Sequence, residues 1–296
     1  MEQVLTTILT VDWYIWIFIL MYIILSVFLT AMCYKSLIDP TCGTISKKEI
    51  FGYSLTTASL SRSFLGRYAE ITLLYFLKKR GVEYGRGLTI FLVDKIITLV
   101  VQTIVSIIGL AYFFFYTHFL DSTEFILIFM VILGVMFIAI YLLKQEGVRV
   151  FIKEKILRKH QDKFKQFSST FHQLYCDHKS ALFLNVLYTT LRLILTGVVV
   201  ASIFWYLGAP LSIWYVIIIN TILMTASLIP LTANGIGIRE TLGVYLFGTL
   251  GVAPIVSVSV YLIFRIGNYL FGLLLLPHTI RLYFQSKKEK NTPPKP

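Results

Sequence analysis

Apolar residues along this chain gather in long blocks instead of alternating with polar ones. The blocks fall at about 12–34, 49–64, 66–77, 88–116, 125–143, 180–206, 212–230, 237–250 and 253–284. A helix crosses a bilayer core with about 20 apolar residues, rising about 1.5 Å per residue. Blocks 66–77 and 237–250 are too short for that. Each follows another block after a break, at Phe64-Leu65-Gly66 in one case and from Pro230 to Gly237 in the other. The simplest reading is two helical hairpins that dip into the bilayer and return to the same side. The pattern thus predicts an all-α polytopic membrane protein with about five full spans plus two re-entrant hairpins.

Composition agrees and excludes other classes. The chain is 57% hydrophobic and 14% charged, with a mean hydropathy of +0.77, whereas soluble domains carry about 25% charged residues. A soluble enzyme, a disordered chain and a nucleic-acid-binding domain are excluded. The N-terminus carries Glu2 and Asp12 and no basic residue before its apolar run, so Trp13–Tyr34 reads as a retained helix and not a signal peptide.

The net charge of +12 orients the chain. Lys35, Lys47, Lys48, Lys78, Lys79, Arg80 and Arg86 flank the first hairpin; segment 144–179 holds nine Lys/Arg against four acids; the tail adds Lys287, Lys288, Lys290 and Lys295. Loops 1–11, 117–124, 207–211 and 251–254 hold no Lys or Arg. All basic loops share one side only if both short pairs are hairpins, which puts the N-terminus outside and the C-terminus in the cytoplasm. Trp13, Trp16, Trp205 and Trp214 then fall at the outer interface. Within 144–179, Phe164, Phe167, Phe171 and Leu174 recur at helical spacing among basic residues. Such a helix suits an anionic inner leaflet, or serves as a plain cytoplasmic linker.

The chain also repeats itself. Thr57-Ala58-Ser59-Leu60 recurs as Thr225-Ala226-Ser227-Leu228, and a shift of 170 superposes Glu70 on Glu240, Gly81 on Gly251 and Lys95 on Arg265. Repeat 1 spans about 46–116 and repeat 2 about 212–284, within one integral membrane domain over 1–296 that closes on a cytoplasmic tail, 285–296. One copy starts from the cytoplasmic side and the other from outside, so they are inverted, a plan common in secondary transporters.

Candidate chemistry lies in the ionisable residues of the apolar blocks: Arg62, Arg67, Glu70, Asp94, Lys95, Arg192, Arg239, Glu240 and Arg265. Each would cost roughly 2.5–3.5 kcal/mol facing lipid, so they face a cavity or one another. Their surplus of positive charge suits an anionic ligand, with a lipid phosphate the obvious candidate. Arginine grips phosphate through a planar fork, which points to Arg67, Arg239 and Arg265. Asn234, Gly235 and Gly237 open the helix at 237–250, where backbone N–H groups favour an anion. Glu70, Glu240, Lys95 and Arg192 form a gating or ion-pair set; the plainer reading is that the acids only brace the hairpins. Arg62 reads as snorkelling or lining a loop, and Asp94 and Lys95 as lying near the cytoplasmic interface. Cys33, Cys42 and Cys176 show no metal spacing, the five histidines show no metal motif, and no ATP-binding loop is present. No metal and no cofactor are expected.

The string from Pro230 to Glu240, followed by Gly251-Val252 and Tyr261 to Arg265, together with Leu65-Gly66-Arg67-Tyr68-Ala69-Glu70 and Asp94-Lys95, resembles the signatures of the lysylphosphatidylglycerol synthase transmembrane-region family. These are flippase-like integral membrane proteins of bacteria and archaea, so the resemblance implies the cell membrane of such an organism. In the lysyl-lipid synthases a large soluble aminoacyltransferase domain follows this region. Here a short Lys/Pro tail follows instead, so the expectation is the membrane region without the soluble synthase domain, and not an enzyme.

The function expected is binding or moving an anionic phospholipid or lipid-linked intermediate between leaflets. Two alternatives stand beside it: a membrane subunit partnering a separate glycosyl- or aminoacyl-lipid transferase, and a small-solute secondary transporter. Membrane lipids are the expected partners, with a lipid-modifying enzyme as a further one; no nucleic acid is expected, and the oligomeric state is not legible.

Overall fold

A computed structural model of the chain describes residues 2–62, 66–117, 130, 161–227 and 237–290. Among these the protein is all-helical, without a strand. The helices are α1 (Glu2–Leu9), α2 (Trp13–Cys42), α3 (Lys47–Leu60), α4 (Thr72–Lys79), α5 (Tyr84–Tyr112), α6 (Gln161–Cys176), α7 (Lys179–Tyr206), α8 (Ile213–Ala226), α9 (Ile238–Gly248) and α10 (Pro254–Lys290). A 3-10 turn over Gly66–Ile71 leads into α4, and a π-helical turn over Phe113–Thr117 ends α5.

Four of the described helices, α2, α5, α7 and α10 through Pro277, are long and apolar enough to cross a membrane. They match four of the five predicted full spans; the fifth, at 125–143, lies outside the described residues apart from Met130. α2 runs eight residues past the predicted end, through Pro40, and α1 is a helix where the apolar pattern left a loop. The shorter helices come in two sequential pairs, α3 with α4 and α8 with α9. At 14 residues, α3 and α8 rise roughly 21 Å, short of a bilayer core.

The two ends of the bundle differ chemically. At one end the Asp12 backbone N–H donates to Tyr206 Oη at 3.0 Å, and that hydroxyl donates to Asp12 Oδ2 at 3.0 Å, tying the start of α2 to the end of α7. Exposed Trp13, Trp205 and Trp214 sit here. The other end carries the charge. Lys35 pairs with Asp39 at 2.8 Å, Arg86 with Glu83 at 3.0 Å, and Glu49 with Arg80. Because Glu49 opens α3 and Arg80 follows α4, the first short pair begins and finishes at this end. Tyr53 of α3 and Phe76 of α4 stack between them at 4.8 Å.

α6 docks at the charged end. Leu174 is buried, Gln173 Nε2 donates to Pro40 O at 3.2 Å, and Phe171 and Tyr175 stay exposed. The side chains of Phe164 and Phe167, on which half of the predicted amphipathic face rests, lie outside the described residues.

Glycines set how closely α8 is held. A Cβ on Gly109 of α5 would lie 2.2 Å from Ile218 Cγ2, and one on Gly197 of α7 would lie 2.8 Å from the Ile217 Cα. α8 is thus wedged between two long helices at distances only glycine permits, the small-residue packing expected of membrane helices.

Candidate functional site

Along α2, one apolar cluster involves the helix up to Val27 and a second begins at Ala31. Where they meet, the bundle holds a cavity of about 730 Å³, lined by residues from α2 through Tyr261 and Asn268 of α10. Among the described residues, its wall carries five cations (Arg62, Lys95, Arg192, Arg239, Arg265) and two carboxylates (Glu70, Glu240).

Among the described residues, each carboxylate makes an ion pair across an element boundary. Lys95 Nζ of α5 lies 2.5 Å from Glu70 Oε2 in the 3-10 turn. Arg265 Nη2 of α10 lies 2.8 Å from Glu240 Oε1 of α9. These are the residues that the shift of 170 superposes, so equivalent positions make equivalent contacts at one cavity. Each pair ties a short helical unit to the long helix that follows it.

The surroundings of the two pairs are unlike. Behind Lys95 sits Asp94, fully buried, with its Oδ2 at 3.6 Å from Lys95 Nζ and without a hydrogen bond among the described residues. Asn185 Nδ2 of α7 donates to Asp94 Oδ1 at 3.2 Å and to the Cys33 carbonyl of α2 at 2.9 Å. Lys95 also lies over the rings of Phe91 and Tyr34, at 5.4 and 5.9 Å from their centroids. Asp94 therefore departs from the interfacial position expected of it. It lies ten residues into α5, where α2 and α7 close over it, and periodicity along α5 alone carries no sign of that.

Around Glu240 the second carboxylate oxygen does different work. Glu240 Oε2 accepts from the Gly237 N–H at 2.8 Å, and Gly237 holds φ +89°, a backbone state natural to glycine. The N-terminus of α9, expected to attract an anion, already has one supplied by its own chain. Its Oε1 meets Arg265 as a close charge contact without an aligned hydrogen bond. Arg239 Nε donates to Ser227 Oγ at 2.8 Å, bridging the segment between α8 and α9.

Arg192 and Arg62 are held by neutral groups. Arg192 donates to Thr30 Oγ1 at 3.0 Å and Thr98 Oγ1 at 3.4 Å, linking α7 to α2 and α5. Arg62, expected to snorkel or line a loop, lines the cavity. Its Nε donates to Asn268 Oδ1 at 2.9 Å and its guanidinium lies 5.7 Å from the Phe271 ring centroid.

The structure thus brings together Glu70, Lys95, Arg192, Arg239, Glu240 and Arg265 of the predicted set, and places Gly237 in the Glu240 cap. The side chain of Arg67, and Asn234 and Gly235, lie outside the described residues. Asn185 and Asn268 were missed. Their signal was an amide inside an apolar span, which costs free energy unless it has a partner. No group of three metal-binding side chains occurs among the described residues.

No curated protein and no solved structure matches the chain. A family match does, over residues 1–275, so that it takes in both ion pairs and every cavity-lining residue named above. With this coverage, and with the all-helical, apolar architecture around the paired carboxylates, the chain belongs to the family described as the lysylphosphatidylglycerol synthase TM region.

Proposed function

We propose that this protein is a non-enzymatic, flippase-like membrane protein that binds an anionic phospholipid or lipid-linked intermediate in the central cavity and moves it between leaflets. The observation that carries this reading is the pair of sequence-equivalent ion pairs, Glu70–Lys95 and Glu240–Arg265, lining one cavity whose remaining cations are arginines. In an inverted repeat, equivalent contacts exchange roles when the cavity changes the face to which it opens. The short pairs α3–α4 and α8–α9 are then re-entrant hairpins acting as gates, and a lipid phosphate competes with the glutamates for Lys95 and Arg265. The basic end faces the cytoplasm of a bacterial or archaeal cell and the tryptophan end faces outside, with both assignments resting on charge and aromatic placement.

Head-group-labelled phospholipids in liposomes containing the purified protein give the test. Transbilayer movement above that of protein-free liposomes is expected, with loss of at least about tenfold for Arg239→Ala and for Glu240→Gln. Movement unchanged by both substitutions would remove the assignment of the site.

The family description also favours a second reading, a membrane subunit serving a separate lipid-modifying enzyme. That reading expects co-purification of such an enzyme and no lipid movement by the protein alone.

A further inference from the structure

Resting on the lipid-binding reading, we infer that the cavity holds a second subsite, set beside its cations, for the neutral hydroxyl groups of a polyol or sugar headgroup. Gln102 of α5 and Asn220 of α8 are the residues that read those hydroxyls. Two observations carry this.

The first is a pair of amides short of partners. Gln102 and Asn220 are each more than nine-tenths buried and line the cavity. Among the described residues, Gln102 makes no hydrogen bond, and Asn220 only directs its Nδ2 at the Met224 sulfur, 3.6 Å away. The amide of Asn268 on the same wall is satisfied on both sides. Its Nδ2 donates to Phe264 O at 2.8 Å, and its Oδ1 accepts from Arg62 Nε at 2.9 Å. An amide withdrawn from water inside an apolar span and left unpaired costs free energy, which an incoming group that both donates and accepts recovers.

The second is where these amides lie. α5 runs from the charged end, where Glu83 pairs with Arg86, to Tyr112, whose ring meets Tyr215 of α8 next to Trp214. Arg192 donates to Thr98 of α5 at 3.4 Å, and Gln102 follows Thr98 by one turn, about 6 Å further toward the tryptophan end. On α7 the residue one turn beyond Arg192 is Thr196, whose hydroxyl bonds to Tyr22 Oη of α2 at 2.9 Å. Thr196 and Tyr22 line the cavity as well. Within one helical turn, the wall therefore passes from a guanidinium to neutral amide and hydroxyl groups. A phosphodiester held by Arg192, with its glycerol or sugar set toward the tryptophan end, brings its hydroxyls to Gln102. Each hydroxyl donates one hydrogen bond and accepts others, which matches the oxygen and the NH₂ of an amide together. An ammonium headgroup donates only and leaves the amide N–H groups unpaired; a trimethylammonium headgroup does neither.

The test uses the whole protein in nanodiscs of phosphatidylcholine and reads thermal stabilisation on titration with phosphatidylglycerol, phosphatidylinositol or phosphatidylpropanol. Phosphatidylpropanol has the same single charge and three-carbon headgroup as phosphatidylglycerol but lacks the hydroxyls, so the ratio of affinities isolates their contribution. At least one of the two polyol lipids is expected to bind about tenfold more tightly than phosphatidylpropanol. The tighter of the two identifies the polyol as a ring or as glycerol, and either result keeps the inference. Gln102→Met keeps the length of the side chain and removes the amide. It is expected to narrow the ratio to about threefold or less, while the melting temperature before titration stays unchanged or rises. Asn220→Leu is expected to act in the same direction, and it supplies the reading if Gln102→Met does not fold. Equal affinity of the unaltered protein for all three lipids overturns the polyol subsite and leaves the phosphate-binding reading intact. A ratio unmoved by both substitutions overturns the assignment to these residues. Absence of binding by every lipid, together with absent transbilayer movement, overturns both readings.

Discussion

The two short helical units are built on the same sequence pattern and are held in place differently. In the second unit, α8 is wedged against Gly109 and Gly197 of its neighbours, and Glu240 both caps α9 and pairs with Arg265. In the first unit, a Cβ on Gly52 of α3 would meet no atom within 4 Å, and Glu70 pairs with a lysine that also has Asp94 at 3.6 Å. The second unit is therefore fixed by close packing and by a carboxylate with two tasks. The first is looser and has a second carboxylate in reserve. An ion pair can be repeated while its energetic setting is not, because that setting comes from the side chains and helices packed around it.

Four substitutions break or sharpen this contrast, and chemical unfolding of the detergent-solubilised protein reads each. Glu240→Ala has the largest expected effect, about 3 kcal/mol of lost stability, since Arg265 loses its partner and α9 its cap together. Gly197→Ala follows at about 2 kcal/mol, because the new methyl meets the backbone of Ile217 and not merely a side chain that can turn aside. For Glu70→Ala the expected loss is only about 1 kcal/mol, since Lys95 retains Asp94. The contrast with Glu240 disappears if the two alanine variants lose equal stability, or if the double variant Glu70→Ala/Asp94→Asn costs no more than the sum of its parts. Gly52→Ala closes the series with a gain of roughly 0.5 kcal/mol, from helix propensity with nothing to clash against. A loss there would place α3 under the same packing constraint as α8.

Much of the fold was legible because lipid solvent imposes a simple rule: every span must be long, apolar and helical. Blocks at 12–34, 88–116, 180–206 and 253–284 reappear as α2, α5, α7 and α10 with small shifts at their ends. α1 was missed because eight residues ending in Leu9 are too few to register as a span. The Glu70–Lys95 and Glu240–Arg265 equivalence was also legible. Charged residues are rare inside apolar segments, so their recurrence at one ungapped shift stands out, and the structure pairs them alike. Arg62 and Asp94 were not legible in this way. Whether a charge in an apolar block faces lipid, an interface or a cavity depends on which helices pack over it.

The sequence alone therefore determined the class, four of the spans, the chemically distinct ends and the matching residues of the two short units. Those follow from hydropathy, charge and repetition, which are properties of position along the chain. Only the tertiary structure decided that five cations and two carboxylates line one cavity, that Asn185 buries Asp94 behind Lys95, and that Glu240 occupies the N-terminus of its own helix. Those facts depend on contacts between residues up to about two hundred positions apart, such as Arg62 with Asn268. Such contacts are set by how glycine-lined helices close on one another, and no pattern along a single helix encodes that.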